Sequence, residues 1–255
     1  MISRALALAG LALVGACGGS ADGCALMSCA DNGTNPLTVF AAASLQPPFD
    51  KIAIAIGARY HVKPIFNYAG SQTLTAQLTQ GAQADVFASA DTAHMKTLQD
   101  AGLVDVAPKV FAHNRLEIAV ERGNPKGIHS LGDLSRPGVV VVLADPSVPA
   151  GKYSQQALAR AGVAVHPASL EAQVTAVLSK IELGEADAGI VYASDVRTAP
   201  KVDGVAIPDS QNVIADYPIA TLKNAQHKGT ANSFIDFVIS DQGQEILKQA
   251  GFEPA

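Results

Sequence analysis

Tryptophan is missing from this 255-residue chain, and cysteine nearly so: Cys17, Cys24 and Cys29 all fall before Pro36. The bulk of the chain therefore has no disulfide framework, and two thiols without a nearby histidine do not make the four ligands of a zinc site. Charged residues amount to only 16 %, with a net charge of -5 and no basic stripe, so a nucleic-acid partner is disfavoured. The six histidines (61, 94, 113, 129, 166 and 227) are scattered without metal-ligand spacing. A phosphate-binding P-loop is absent, because Gly151-Lys152 is followed by Tyr153. G-x-G-x-x-G, H-E-x-x-H and G-x-S-x-G are absent as well. A Ser–His–Asp triad can be dispersed through a sequence, but no motif here points to one.

Only one long apolar run exists, from Ala5 to Val14 behind Arg4. It is too short to span a bilayer and has the shape of a signal-peptide core, so residues 1–16 are read as a signal peptide. Val14-Gly15-Ala16-Cys17 resembles the lipobox of bacterial lipoproteins, in which cleavage before the cysteine leaves its thiol to carry a diacylglyceryl group. The plainer alternative is a secretory signal with Cys17 incidental. The Gly/Ser/Ala/Asp-rich stretch 17–35 then reads as a flexible tether to the cell membrane. Export to an oxidising compartment permits a disulfide between Cys24 and Cys29.

What is present beyond Pro36 is a repeated grammar. Leu37-Thr38-Val39-Phe40-Ala41-Ala42-Ala43-Ser44 is an apolar strand that ends in small residues and a serine, followed by Pro47-Pro48 and an apolar-periodic stretch through Ile52, Ile54, Ile56 and Tyr60. Serine suits a helix N-cap and proline a first helical turn, so this is a strand-to-helix turn with free backbone N–H groups, a place that binds anions. The same sequence of events recurs. An extended run 62–68 meets Ala69-Gly70-Ser71 and a helix stopped at Gly81; Ala84 to Ala88 meets Ser89-Ala90-Asp91 and a helix stopped at Gly102. After an extended segment at 115–120 the pattern restarts: a strand 139–143, a Pro149-Ala150-Gly151 loop, a helix from Tyr153, a helix 172–183, and a strand 188–192 ending in Tyr192. A last helical pattern from Asn232 to Ala250 is expected to break at Gly243.

Alternating strands and helices imply an α/β fold with mostly parallel sheets. The extended segments near 115–120 and 215–221 suggest two domains joined by two crossover strands, with the terminal helix returning to the first. The boundaries expected are 36–117 with 220–255 for lobe I and 118–219 for lobe II. Ligands of open α/β sheets sit at the carboxyl ends of strands, which places the site in the cleft between lobes. Its donors are hydroxyls and backbone N–H groups without lysine or arginine, while Asp91 and Asp195 read as helix caps. A site of this kind holds a dehydrated dianion if enough donors converge, and favours one that carries no proton.

Val39 to Leu45, Ser71 to Leu74, Gly81 to Asp91 and Gly189 to Asp195 together resemble the signature stretches of periplasmic molybdate-binding proteins, the capturing components of molybdate ABC transporters. Asp145-Pro146, Val148 to Gly151 and Gly251-Phe252 fit the same pattern. The resemblance implies a type II periplasmic-binding-protein fold, a non-enzymatic and monomeric receptor without a cofactor, and an ABC permease as partner. It also implies molybdate or tungstate held without metal–protein bonds. Carried onto this chain, Ser44 and Ser71 donate hydroxyl and N–H, Ala42, Ala90 and Val174 backbone N–H, and Tyr192 its phenol. The alternatives are the same fold with sulfate, thiosulfate or phosphate, or, in a different class, a secreted hydrolase with a cleft serine.

Overall fold

A computed structural model describes residues 37–255. The signal segment, the tether, Cys17 and the Cys24/Cys29 pair lie outside the described residues.

The first strand, β1 (Leu37–Ala42), is flanked in parallel by β2 (Pro64–Ala69) and β3 (Val86–Ala88). Its side chains alternate, as a strand's must. Leu37, Val39 and Ala41 enter the main core, while Phe40 enters a smaller cluster with Leu74, Leu78, Met95 and Leu98. Both faces are therefore covered, as a parallel sheet requires. The covering helices are α1 (Gln46–Tyr60), α2 (Ser71–Thr79) and α3 (Thr92–Asp100). On α1, Phe49, Ile52 and Ile56 recur at helical spacing and are fully buried. Each contributes about 2 kcal/mol of transfer free energy. Phe49 is ringed by Phe66, Phe111 and Phe234 at centroid distances of 5.7–6.0 Å.

A second parallel set, β5 (Val141–Ala144), β6 (Ser169–Glu171) and β7 (Ala188–Tyr192), carries α4 (Pro149–Ala161), α5 (Val174–Glu182) and α6 (Ala193–Thr198). The two sets are joined by long antiparallel strands, β4 (Lys109–Glu121) and β9 (Ile214–Thr221). β4 changes partners along its length: Lys109 to Arg115 pair β9, whereas Leu116 to Val120 pair β7. The resulting order is β2-β1-β3-β9-β4-β7-β5-β6, one curled mixed sheet. Two short strands, β8 (Val202–Ala206) and β10 (Glu253–Pro254), add to β4.

Several local readings change. Ile54 is exposed on α1, about 200° around the helix from Ile52, and the terminal helical pattern begins at Lys228, ahead of Asn232. The helix of the second series begins at Pro149, four residues before Tyr153, because the proline occupies a first-turn position where no N–H is needed. The terminal helices α7 (Lys228–Ile239) and α8 (Asp241–Gln249) separate at Ser240, not at Gly243. Ser240 Oγ accepts from Gly243 N–H and so caps α8, while Gly243 packs where a Cβ would lie 2.2 Å from the Phe237 carbonyl.

Candidate functional site

The carboxyl ends of β1, β2, β3, β5 and β7 border one narrow pocket of about 10 Å³. From the first set come Ala42, Ala43 and Ser44 after β1, Gly70 and Ser71 after β2, and Ala90 after β3. From the second set come Val148, Pro149 and Ala150 at the start of α4, Val174 at the start of α5, and Tyr192 at the end of β7. All six residues expected from sequence (Ala42, Ser44, Ser71, Ala90, Val174 and Tyr192) therefore face the same space. The start of α4 is the part that sequence reasoning missed. Its signal was Val148-Pro149-Ala150-Gly151, a proline-led helix start after a buried strand.

Local chemistry explains why these turns face inward with donors free. α1, α2, α4 and α5 have no side chain capping their first turns. Elsewhere Asp91 caps α3 through His94 N–H at 2.9 Å, Ser240 caps α8, and Asp85 accepts the N–H groups of Gln226 and His227 just before α7. First-turn N–H groups have no intrahelical partner and carry the positive end of the helix dipole. Three uncapped starts, those of α2, α4 and α5, border the pocket, as does the turn Ala42-Ala43-Ser44 ahead of α1; the start of α7 is uncapped too but does not line it. At α4 the approach is close: a Cβ on Gly151 would lie 2.1 Å from the Asp145 carbonyl and 2.4 Å from that of Ala144.

No lysine, arginine, histidine or carboxylate lines the pocket. The Tyr192 side chain is buried and its hydroxyl has no hydrogen-bond partner. Burial lifts this phenol well above its ordinary value, with Tyr217, Tyr153 and nearby carboxylates adding to the effect, so it is held as a proton donor. Ser44 Oγ lies 2.9 Å from Tyr217 Oη, and Ser71 Oγ accepts from Ala90 N–H at 3.0 Å. The Ala90 amide thus points at Ser71. Across the pocket mouth, Gln72 Nε2 donates to the Ala172 carbonyl at 2.8 Å, linking the turn after β2 with the turn before α5.

Two carboxylates stand behind the pocket. Burial works against ionisation of Asp91, but its bonds to His94, with Lys152 nearby, outweigh this and hold its carboxyl below the usual range. Asp195 accepts from Tyr192 N–H at 3.0 Å, the capping role read from sequence, and burial pushes it up to about 7. Among the described residues no group of three or more His, Cys, Asp or Glu side chains could hold a metal ion. A larger hollow, about 290 Å³, lies between β9 and α7, but its charged lining residues Lys109 and Asp236 face each other at 3.6 Å. What the pocket around Tyr192 can do chemically is donate many neutral hydrogen bonds to one small acceptor-rich solute.

The family described as bacterial extracellular solute-binding protein matches residues 37–253. Molybdate-binding protein ModA of Mycobacterium tuberculosis is 45 % identical over 222 residues, covering 86 % of this chain and 85 % of that protein. The periplasmic molybdate-binding protein of Azotobacter vinelandii superposes with a TM-score of 0.76 at 20 % identity, over 86 % of this chain and 99 % of that one. The sulfate-binding protein SubI of M. tuberculosis superposes with a TM-score of 0.79 at 24 % identity, over 86 % and 87 %. Likeness at these two identities speaks for the fold.

Proposed function

The chain belongs to the bacterial extracellular solute-binding proteins, and from that premise we propose that it captures molybdate, and with it tungstate, in the pocket around Tyr192. The observation that carries the reading is the buried, partnerless Tyr192 hydroxyl in a pocket of uncharged lining residues ringed by uncapped helix starts. A buried hydroxyl without a partner is costly in an empty protein, and an oxyanion supplies the acceptor it lacks.

In this reading the hydroxyls of Ser44, Ser71 and Tyr192 and the backbone N–H groups of Ala42, Val174 and the α4 start donate to the four oxygens, and the Ala90 amide acts through Ser71. The metal stays inside its oxygen shell. Every donor is neutral, so affinity rests on replacing each hydrogen bond that the oxygens had in water. The residues 36–117 with 220–255 form one lobe and 118–219 the other, with β4 and β9 as the hinge. The Gln72–Ala172 bond belongs to the closed arrangement.

The wider setting follows from the same reading. Cleavage before Cys17 and lipidation there tether the protein outside the cytoplasmic membrane, where a monomer hands its ligand to an ABC permease. A Cys17→Ala protein should then leave the membrane fraction. The deciding experiment is calorimetric titration with molybdate, tungstate, sulfate and phosphate. Strong heats with the first two and weak ones with the others are expected; tight sulfate binding with no response to molybdate would sink the proposal in favour of a sulfate receptor.

A further inference from the structure

Tyr217 lies on β9, far from the pocket residues in sequence, and was not marked by any motif. It is fully buried, with its ring set edge-on to Tyr192, Phe111 and Phe252 at centroid distances of 5.8, 6.4 and 5.2 Å. It is absent from the pocket lining, yet its hydroxyl reaches Ser44 Oγ at 2.9 Å from the protein side. A serine hydroxyl has one proton to give and two lone pairs to receive with. Ser71 stands in the same situation: a proton-side neighbour, the Ala90 N–H, already occupies one lone pair of its Oγ. An amide cannot reverse its role, so Ser71 is left with its own proton to spend elsewhere. The phenol of Tyr217 takes the equivalent place behind Ser44; either hydroxyl of this pair can donate, and burial, with Asp195 adding to it, keeps the phenol protonated and so able to do so.

We infer that Tyr217 is a specificity-determining positioning residue: by donating to Ser44 Oγ it obliges the Ser44 hydroxyl to donate into the pocket, and so disfavours oxyanions that retain a proton. The inference rests on the oxyanion reading above and deepens it. Molybdate, sulfate and hydrogen phosphate all carry two negative charges near pH 8, so charge does not separate them. Hydrogen phosphate also presents a proton that needs an acceptor. With Tyr217 and Ala90 each taking one of the two lone pairs, a serine that accepts from the ligand through its other lone pair turns its own proton away from it, so the proton of hydrogen phosphate is accepted only at the cost of a donor.

The test is a double-mutant cycle in the whole protein, titrating molybdate, sulfate and inorganic phosphate at about pH 8 into wild type, Tyr217→Phe, Ser44→Ala and the double variant. Tyr217→Phe keeps the ring stack and removes only the hydroxyl. It should weaken molybdate about tenfold and lower the molybdate-to-phosphate preference by a similar factor, since the freed Ser44 can rotate and accept. In the Ser44→Ala background the same change should have no further effect, because residues acting through one bond are not additive. An unchanged preference, an equal loss for all three anions, or an additive double variant would each overturn the role of Tyr217. A wild type that ignores molybdate overturns the functional reading instead, and the cycle is then run with whichever anion binds. Should Tyr217→Phe fail to fold, a fluorinated tyrosine at position 217 keeps ring and hydroxyl while strengthening the donor. Tighter molybdate binding is then expected through the polarised Ser44 hydroxyl, and unchanged binding counts against the proposal.

Discussion

In the proposed reading Tyr192 costs stability in one state and supplies affinity in another. Its hydroxyl is buried without a partner, so Tyr192→Phe should raise the melting temperature of the ligand-free protein, by an amount equivalent to about 1 kcal/mol. The same change should weaken molybdate roughly tenfold to a hundredfold, the worth of a hydrogen bond to a charged acceptor. Calorimetry and thermal melts on one preparation test both, and a variant that loses both stability and affinity would mean the hydroxyl is already satisfied. Asp195, beside it, gives a pH signature. Burial raises its folded-state pKa from 3.8 to about 7, so the folded state holds a proton that the unfolded state has released between those values. Stability from this group is therefore full below about pH 4 and is lost as pH rises towards and through 7. Asp195→Asn keeps an oxygen for Tyr192 N–H and removes the titration. Relative to wild type it should gain on the order of 3 kcal/mol between pH 5 and pH 8 in urea melts; parallel pH profiles would show Asp195 to be ionised throughout. Tyr192 was legible in the sequence because it closes a strand with an expected donor end. Tyr217 was not, because its contact with Ser44 spans 173 positions and leaves no local pattern.

At the scale of elements, the readable part was the order of strands and helices, and the unreadable part was where helices begin. Strand-to-helix turns after β1, β2 and β3 announce themselves through small residues and serine, but the serine cap expected from sequence is not formed: Ser44 and Ser71 do not cap the helices that follow, and Asp91, not Ser89, caps α3. The turn into α4 has no such residue, and Pro149-Ala150-Gly151 reads equally well as loop. What decides is the close approach of Gly151 to the end of β5, a tertiary fact. Gly151→Ala should therefore cost about 2 kcal/mol of stability despite the better helix propensity of alanine, because two backbone carbonyls stand in the way of the new Cβ. It should also weaken anion binding by moving the first-turn N–H groups of α4. Equal stability and affinity in the variant would mean that the α4 start can retreat freely. The break at Ser240 rather than Gly243 follows similar logic: a serine satisfies the first turn of α8, whereas Gly243 is small for packing reasons inside that turn.

Across the whole molecule, the sheet order was only partly legible, because β4 divides its length between two sets of partners and a strand pattern does not say with whom it pairs. The Gln72–Ala172 bond is the direct tie across the pocket mouth, and Gln72 Oε1 beside it is buried without a partner. If closure holds the ligand, Gln72→Ala should speed release several-fold in stopped-flow displacement while changing the association rate little, since tuning between related complexes falls mostly on dissociation. A change confined to association would place Gln72 on the entry route instead.

The balance of charge allows a last prediction. A receptor that held a dianion with lysine or arginine would lose affinity in salt, because screening weakens exposed charge–charge attraction within a Debye length of about 8 Å at physiological ionic strength. Here the pocket lining is uncharged and the chain as a whole carries -5, so under the proposed function long-range electrostatics repel the dianion while short-range donors hold it. Raising sodium chloride from about 20 mM to about 500 mM should therefore leave molybdate dissociation unchanged and modestly speed association, giving equal or slightly tighter binding. A tenfold loss over that range would require a cation in contact with the anion, which the residues around Tyr192 do not supply.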